Sequence, residues 1–90
     1  MKYKHADNIV YAPKEDGSIV LTDIEESEGT FFKLNEVSKD IWLLIEEGLN
    51  VEELHERLSQ MYEPYDDNSK SKVDGFIQDL LNRKFIEEDK

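Results

Sequence analysis

At Asn35 the chain changes its hydrophobic period, and this switch constrains the fold more than any other feature. Upstream, Gly29-Thr30-Phe31-Phe32-Lys33-Leu34 is a β-branched and aromatic run. Downstream, Val37, Ile41, Leu44 and Ile45 fall at i, i+4, i+7 and i+8, the spacing of one helix face. Asn is among the most favoured helix N-cap residues. The junction therefore reads as a strand running directly into a helix. A strand placed this way can become a sheet edge, and an edge is a template for another chain.

Two further strands precede it. Ile9-Val10-Tyr11-Ala12 is a β-prone run stopped by Pro13, and Lys14-Glu15-Asp16-Gly17 supplies a turn through its Asp-Gly pair. Ser18 to Ile24 reads as the second strand, and Glu25-Glu26-Ser27-Glu28-Gly29 as a second turn whose Gly can take positive φ. Thr30 to Leu34 is the third strand. Consecutive hairpins make an antiparallel meander. Alternation puts Thr30, Phe32 and Leu34 on one face and Phe31 and Lys33 on the other. Phe32 and Leu34 are expected inward, because Leu34 must join the helix core one residue later. Phe31 is then partly exposed, either beneath an unplaced segment or as a binding anchor.

Three helices follow. The first runs from Asn35 to about Glu47, with Trp42 at the border of its apolar stripe and Gly48 as its C′ residue. The second opens on Asn50-Val51-Glu52-Glu53, Asn at N-cap and Glu at N3. It presents Leu54, Leu58, Met61 and Tyr62, and Pro64 stops it. Asp67 or Ser69 caps the third, in which Val73, Phe76, Ile77, Leu80 and Leu81 form the clearest helical stripe of the chain. Gly75 within it costs about 1 kcal/mol relative to Ala. Phe85-Ile86 closes the core.

Bulk properties narrow the function classes. Ninety residues with 38% hydrophobic content support one small folded domain. With no Cys there is no disulfide and no thiolate metal site, which suits a reducing cytoplasm. The formal charge of −11 disfavours phosphate backbones and anionic lipids and favours cationic partners. No secretory signal is visible at Met1-Lys2-Tyr3-Lys4-His5, and the longest apolar run, Ile41 to Ile45, is too short to span a bilayer. His5, in an expected loose terminus, and His55, on the polar side of the second helix, lack metal-ligand spacing. No phosphate loop, nucleophile elbow or calcium loop occurs. No cofactor and no catalytic residue is therefore expected.

The ordered set of motifs resembles the PqqD family, named for pyrroloquinoline quinone biosynthesis, and the wider class of RiPP recognition elements. Its carriers are Ile19-Val20-Leu21-Thr22-Asp23, then Phe32-Lys33-Leu34-Asn35, followed six residues after Asn35 by Ile41-Trp42-Leu43-Leu44. Gly48, Val51-Glu52-Glu53-Leu54, Leu58 and Tyr62 continue it, and Val73, Phe76, Leu80 and Leu81 complete it. The resemblance covers Ile9 to Ile86. One position departs: the family usually has Gly before the closing apolar pair, where this chain has Lys84. Lys tolerates left-handed backbone poorly, so the end of the third helix is expected to be built differently.

The resemblance implies an α+β, winged helix-turn-helix-like fold: a three-stranded antiparallel sheet followed by a three-helix bundle. It makes residues 1–90 one peptide-binding domain with an ordered core of about 8–86. It implies a non-catalytic chaperone that captures the leader segment of a ribosomally made precursor peptide. The leader would add as a strand to the third strand and lie in a groove against the third helix. A separate modifying enzyme, in the family often a radical SAM enzyme, would act on the bound peptide. The expected binding residues are Thr30, Phe31, Phe32, Lys33 and Leu34 on the strand, with Lys70, Val73, Asp74, Phe76, Ile77 and Leu80 on the helix. Lys33, Lys70 and Lys72 are expected to pair with acidic leader residues. No nucleic acid or membrane partner is expected, and the chain should be a monomer or weak homodimer in the cytoplasm. The alternatives are a winged-helix DNA-binding regulator, opposed by the charge, and a generic protein-interaction adaptor using the same edge.

Overall fold

The computed structural model describes residues 2–25 and 31–89. Strands β1 (Tyr3–His5), β2 (Ile9–Pro13), β3 (Ile19–Asp23) and β4 (Phe31–Leu34) precede helices α1 (Glu36–Glu46), α2 (Val51–Met61) and α3 (Asp67–Asn82), and strand β5 (Ile86–Glu88) ends the fold. The α+β architecture is the expected one: β2, β3 and β4 form an antiparallel sheet in that order, and three helices follow. The expected second turn at Gly29, and Thr30, lie outside the described residues.

The first hairpin closes as its Asp-Gly pair requires. Gly17 takes φ 89, and the Asp16 carboxylate accepts bonds from the backbone N–H and hydroxyl of Ser18 at 3.0 and 2.6 Å. The register pairs Tyr11 with Leu21 and Leu21 with Phe32, and Ile19 with Leu34. These residues share the inner face, where Ile19, Leu21 and Leu34 are buried against the helices.

A second, two-stranded sheet was not legible in the sequence. β1 pairs antiparallel with β5, Tyr3 opposite Glu88 and His5 opposite Ile86. This corrects two expectations. His5 does not lie in a loose terminus: its ring stacks on Trp42 with centroids 3.6 Å apart and planes 12° apart, and its Nε2 donates to the Trp42 carbonyl at 2.9 Å. Trp42 does not sit at a border but is fully buried, with His5 on its face and the Tyr11 ring edge-on at 6.1 Å. The N-terminal strand supplies the wall that the stripe on α1 alone could not.

The helix ends follow local chemistry, with two corrections. Asn35 holds the N-cap position of α1 but makes no side-chain cap bond; the Ser38 hydroxyl bonds the Asn35 carbonyl instead, at 2.6 Å. Asn50 and Glu53 form the expected reciprocal capping box on α2. On α3 the cap is Asp66, whose carboxylate accepts from the Ser69 N–H at 3.0 Å, rather than Asp67 or Ser69. Gly48 takes φ 84 just past α1.

Lys84 does what its side chain makes costly. It adopts φ 64, its N–H bonds the Leu81 carbonyl, and the Phe85 N–H bonds the Leu80 carbonyl, both at 3.0 Å. These two bonds are the Schellman closure that a Gly normally serves. The end of α3 is therefore built the ordinary way, and the expectation of a different geometry fails. Burial of Phe85 and Ile86 in the core holds the turn in place.

Candidate functional site

The strand order leaves β4 at an edge, and among the described residues no strand pairs with its outer side. Its residues alternate cleanly. Leu34 is buried and Phe32 half-buried on the inner face, while Phe31 and Lys33 are exposed on the outer face. An exposed edge offers unpaired N–H and C=O groups to any extended segment, which would lie about 4.7–4.9 Å away as one more strand.

One stripe of α3 faces this edge. Arg83 lies over the Phe32 ring, 4.6 Å from its centroid, and Phe85 meets the same ring edge-on at 5.6 Å. About two to four helical turns back toward the start of α3, the same stripe carries Phe76, Val73, Lys72 and Ser69, which line a cavity of about 510 Å³. Its other wall is the start of α1, with Asn35, Val37 and Ile41, and its floor includes Tyr62, Pro64 and Tyr65 between α2 and α3. Asn35, directly after Leu34, brings the end of β4 to the wall of this cavity, although none of Phe31–Leu34 lines it. The Glu63–Pro64 peptide is cis. Glu36, at the cavity wall, takes φ 51, a strained conformation for a residue with a side chain.

The cavity is apolar with a charged rim. Tyr62 donates to Asp40, and that carboxylate pushes the phenol up to about 12. Glu36 and Glu63 add acid at the rim, and Lys72 is the cation there. Lys33, on the outer face, is tied to Asp16 at 2.9 Å. The Ser18 hydroxyl and N–H, then Lys33, hold the Asp16 carboxyl well below its usual range.

The α3 residues expected at the site divide among three directions. Val73 and Phe76 line the cavity, although Val73 is also largely buried. Ile77 and Leu80 are core, at 4% and 0% exposure. Lys70 and Asp74 turn to the opposite side, where the His55 Nε2 bonds Asp74 at 2.8 Å and its Nδ1 bonds the Tyr65 hydroxyl at 2.6 Å. His55 thus does not lie on a merely polar surface. Lys70, Glu52 and Glu56 surround a second recess of about 380 Å³ beside it. Burial, then the charge of Asp74, raises the Tyr65 phenol, and the chain of bonds from Asp74 through His55 to Tyr65 ties α2 to α3. Of the three lysines expected near a peptide, only Lys72 lines the cavity.

Sequence reasoning missed Asn35, Val37, Tyr62, Pro64 and Tyr65 as cavity residues. Tyr62 was visible as an apolar position of the second helix and Pro64 as its stop, neither as part of a cavity. Among the described residues, no cluster of His, Cys, Asp or Glu could hold a metal ion, and no helix is long and apolar enough to cross a membrane.

Comparison with known proteins places this geometry. A solved structure described as TbiB1 in complex with the TbiA(beta) leader peptide superposes with a TM-score of 0.81, at 29% identity over 97% of this chain and 98% of the other. A lasso peptide synthetase B1 complexed with the leader peptide gives a TM-score of 0.82 at 17% identity, covering 98% of this chain and all of the other, a likeness of fold. No curated protein sequence matches. The sequence pattern of the family described as Coenzyme PQQ synthesis protein D covers residues 17–86, and the chain belongs to the PqqD family.

Proposed function

We propose that this protein captures the leader segment of a ribosomally synthesised precursor peptide and presents it to a separate modifying enzyme, without catalysing a reaction itself. The observation that carries the reading is the open β4 edge, whose last residue Leu34 adjoins Asn35 in the wall of the cavity between α1 and α3. Strand addition would satisfy the edge amides, and alternate side chains of the peptide would enter the groove beside Phe32, Val73 and Phe76. The similar solved chain at 29% identity is described in complex with a leader peptide, which supports the same use of this fold. The site would comprise Phe31, Phe32, Lys33 and Leu34 with Val73 and Phe76, extended by Thr30; Lys70, Asp74, Ile77 and Leu80 would support it from behind. The whole chain would act as one peptide-binding domain. Holding peptide and enzyme together raises the effective concentration of one for the other.

The test is an amide NMR titration with the leader segment of a candidate precursor peptide. Perturbation is expected at Phe31–Leu34 and along Ser69–Phe76. Shifts confined to the His55 side of α2 would overturn the proposed site.

A further inference from the structure

We infer that the outer face of the sheet at Phe31 selects an apolar side chain on the strand that adds to β4. The inference rests on the strand addition proposed above and names a feature of the peptide that the groove does not read. The register aligns Val10, Thr22 and Phe31 in one row across the three strands, on the face turned away from the helices. Val10 is 46% and Phe31 73% exposed, and Thr22 between them is half-buried. The next row on that face is Ala12, Val20 and Lys33. Edge strands are usually blunted with charge. Lys33 carries such a charge but directs it to Asp16, 2.9 Å away, and Phe31 carries none.

An added strand continues both rows. One set of its alternating side chains enters the groove beside Phe32. The other stands on the outer face, with Cβ atoms about 4.5–5.5 Å from those of Phe31 and Lys33. This holds whether the segment adds parallel or antiparallel, because alternation has no direction. The position beside Phe31 would extend the row of Val10, Thr22 and Phe31, and an aliphatic or aromatic side chain there would cover the exposed ring. The occupant is the added peptide itself, since its backbone and this row are continuous with one edge.

The experiment is selection of a displayed random peptide library on the full-length protein and on Phe31→Thr, which keeps a β-compatible residue. Hydrogen exchange on β4 follows with individual selected peptides. The expected result is protection of β4 amides, an apolar residue at one outward position, and about fivefold weaker binding when that residue becomes Ser. The preference should vanish in Phe31→Thr and persist in Phe31→Leu. Protected β4 amides with identical selections by wild type and Phe31→Thr would overturn the inference and leave strand addition standing. Bound peptides that protect no β4 amide would overturn both. Protection of β4 by self-association alone, without peptide, would assign the row to a second copy and also overturn it.

Discussion

Arg83 holds its guanidinium 4.6 Å above the Phe32 ring while its Nε donates to Asp79 one turn back, at 3.1 Å. The charge is thereby oriented by its own helix onto the inner face of the open strand. A cation over an aromatic ring at a partly exposed site contributes about 0.5–1 kcal/mol. Arg83→Ala and Phe32→Leu should therefore be non-additive by about 0.5 kcal/mol in a double-mutant cycle read by urea unfolding. Strict additivity would show that the two groups are neighbours without an energetic link. Arg83→Ala should also weaken leader binding, because the groove loses the residue that braces Phe32.

Lys84 closes α3 in a left-handed conformation at φ 64. Such a conformation costs about 1 kcal/mol for a residue with a Cβ. Lys84→Gly should raise the thermal midpoint by about 4 °C, with peptide affinity unchanged. A lower midpoint would mean that the Lys side chain contributes more than its backbone costs.

Gly75 stands in the middle of α3, exposed, and a Cβ built there meets nothing within 4 Å. Gly75→Ala should stabilise the protein by about 0.5–1 kcal/mol in urea unfolding and leave leader binding as it was. Weakened binding would reveal that a partner backbone approaches α3 at this point.

His5 makes stability pH-dependent. Burial against Trp42 lowers its pKa from 6.5, partly offset by the bond to the Trp42 carbonyl and by Glu46. The unfolded chain therefore binds the proton more readily than the folded one. The stabilising contribution of neutral His5 is complete above about pH 6.5 and diminishes as pH falls through 6.5 toward its lowered folded value. Comparing urea midpoints at pH 7.5 and 5.5, wild type should lose more stability than His5→Phe, which keeps a stacked ring and cannot titrate. Equal losses would place the pH dependence elsewhere.

The sequence carried the sheet, the helices and the edge because each rests on local periodicity. The switch at Asn35 marks where β4 ends, and the Val73–Phe76–Leu80 spacing marks the apolar side of α3. What it could not carry were relationships between distant segments. Tyr3-Lys4-His5 has no apolar run of its own, so nothing local announces a strand whose partner lies at the other end of the chain. The same gap misplaced Trp42, whose burial depends on that strand. Within α3, helical spacing separates apolar from polar residues but does not say which polar residues border a groove. Lys70 and Lys72 are alike as letters, yet two residues along a helix turn the side chain by more than half a circle. The cavity floor at Tyr62–Tyr65 depended on how two helices join, which periodicity does not encode.

The pairing of β1 with β5 sets how the molecule yields to force. Tyr3 lies opposite Glu88, so a pull applied at the two chain ends acts on the same end of a three-residue antiparallel pair. Its hydrogen bonds are loaded one after another, as in opening a zipper, and not all together in shear. The small sheet should therefore part at low load. Its release frees His5 from the Trp42 face before the β2–β3–β4 sheet bears any tension.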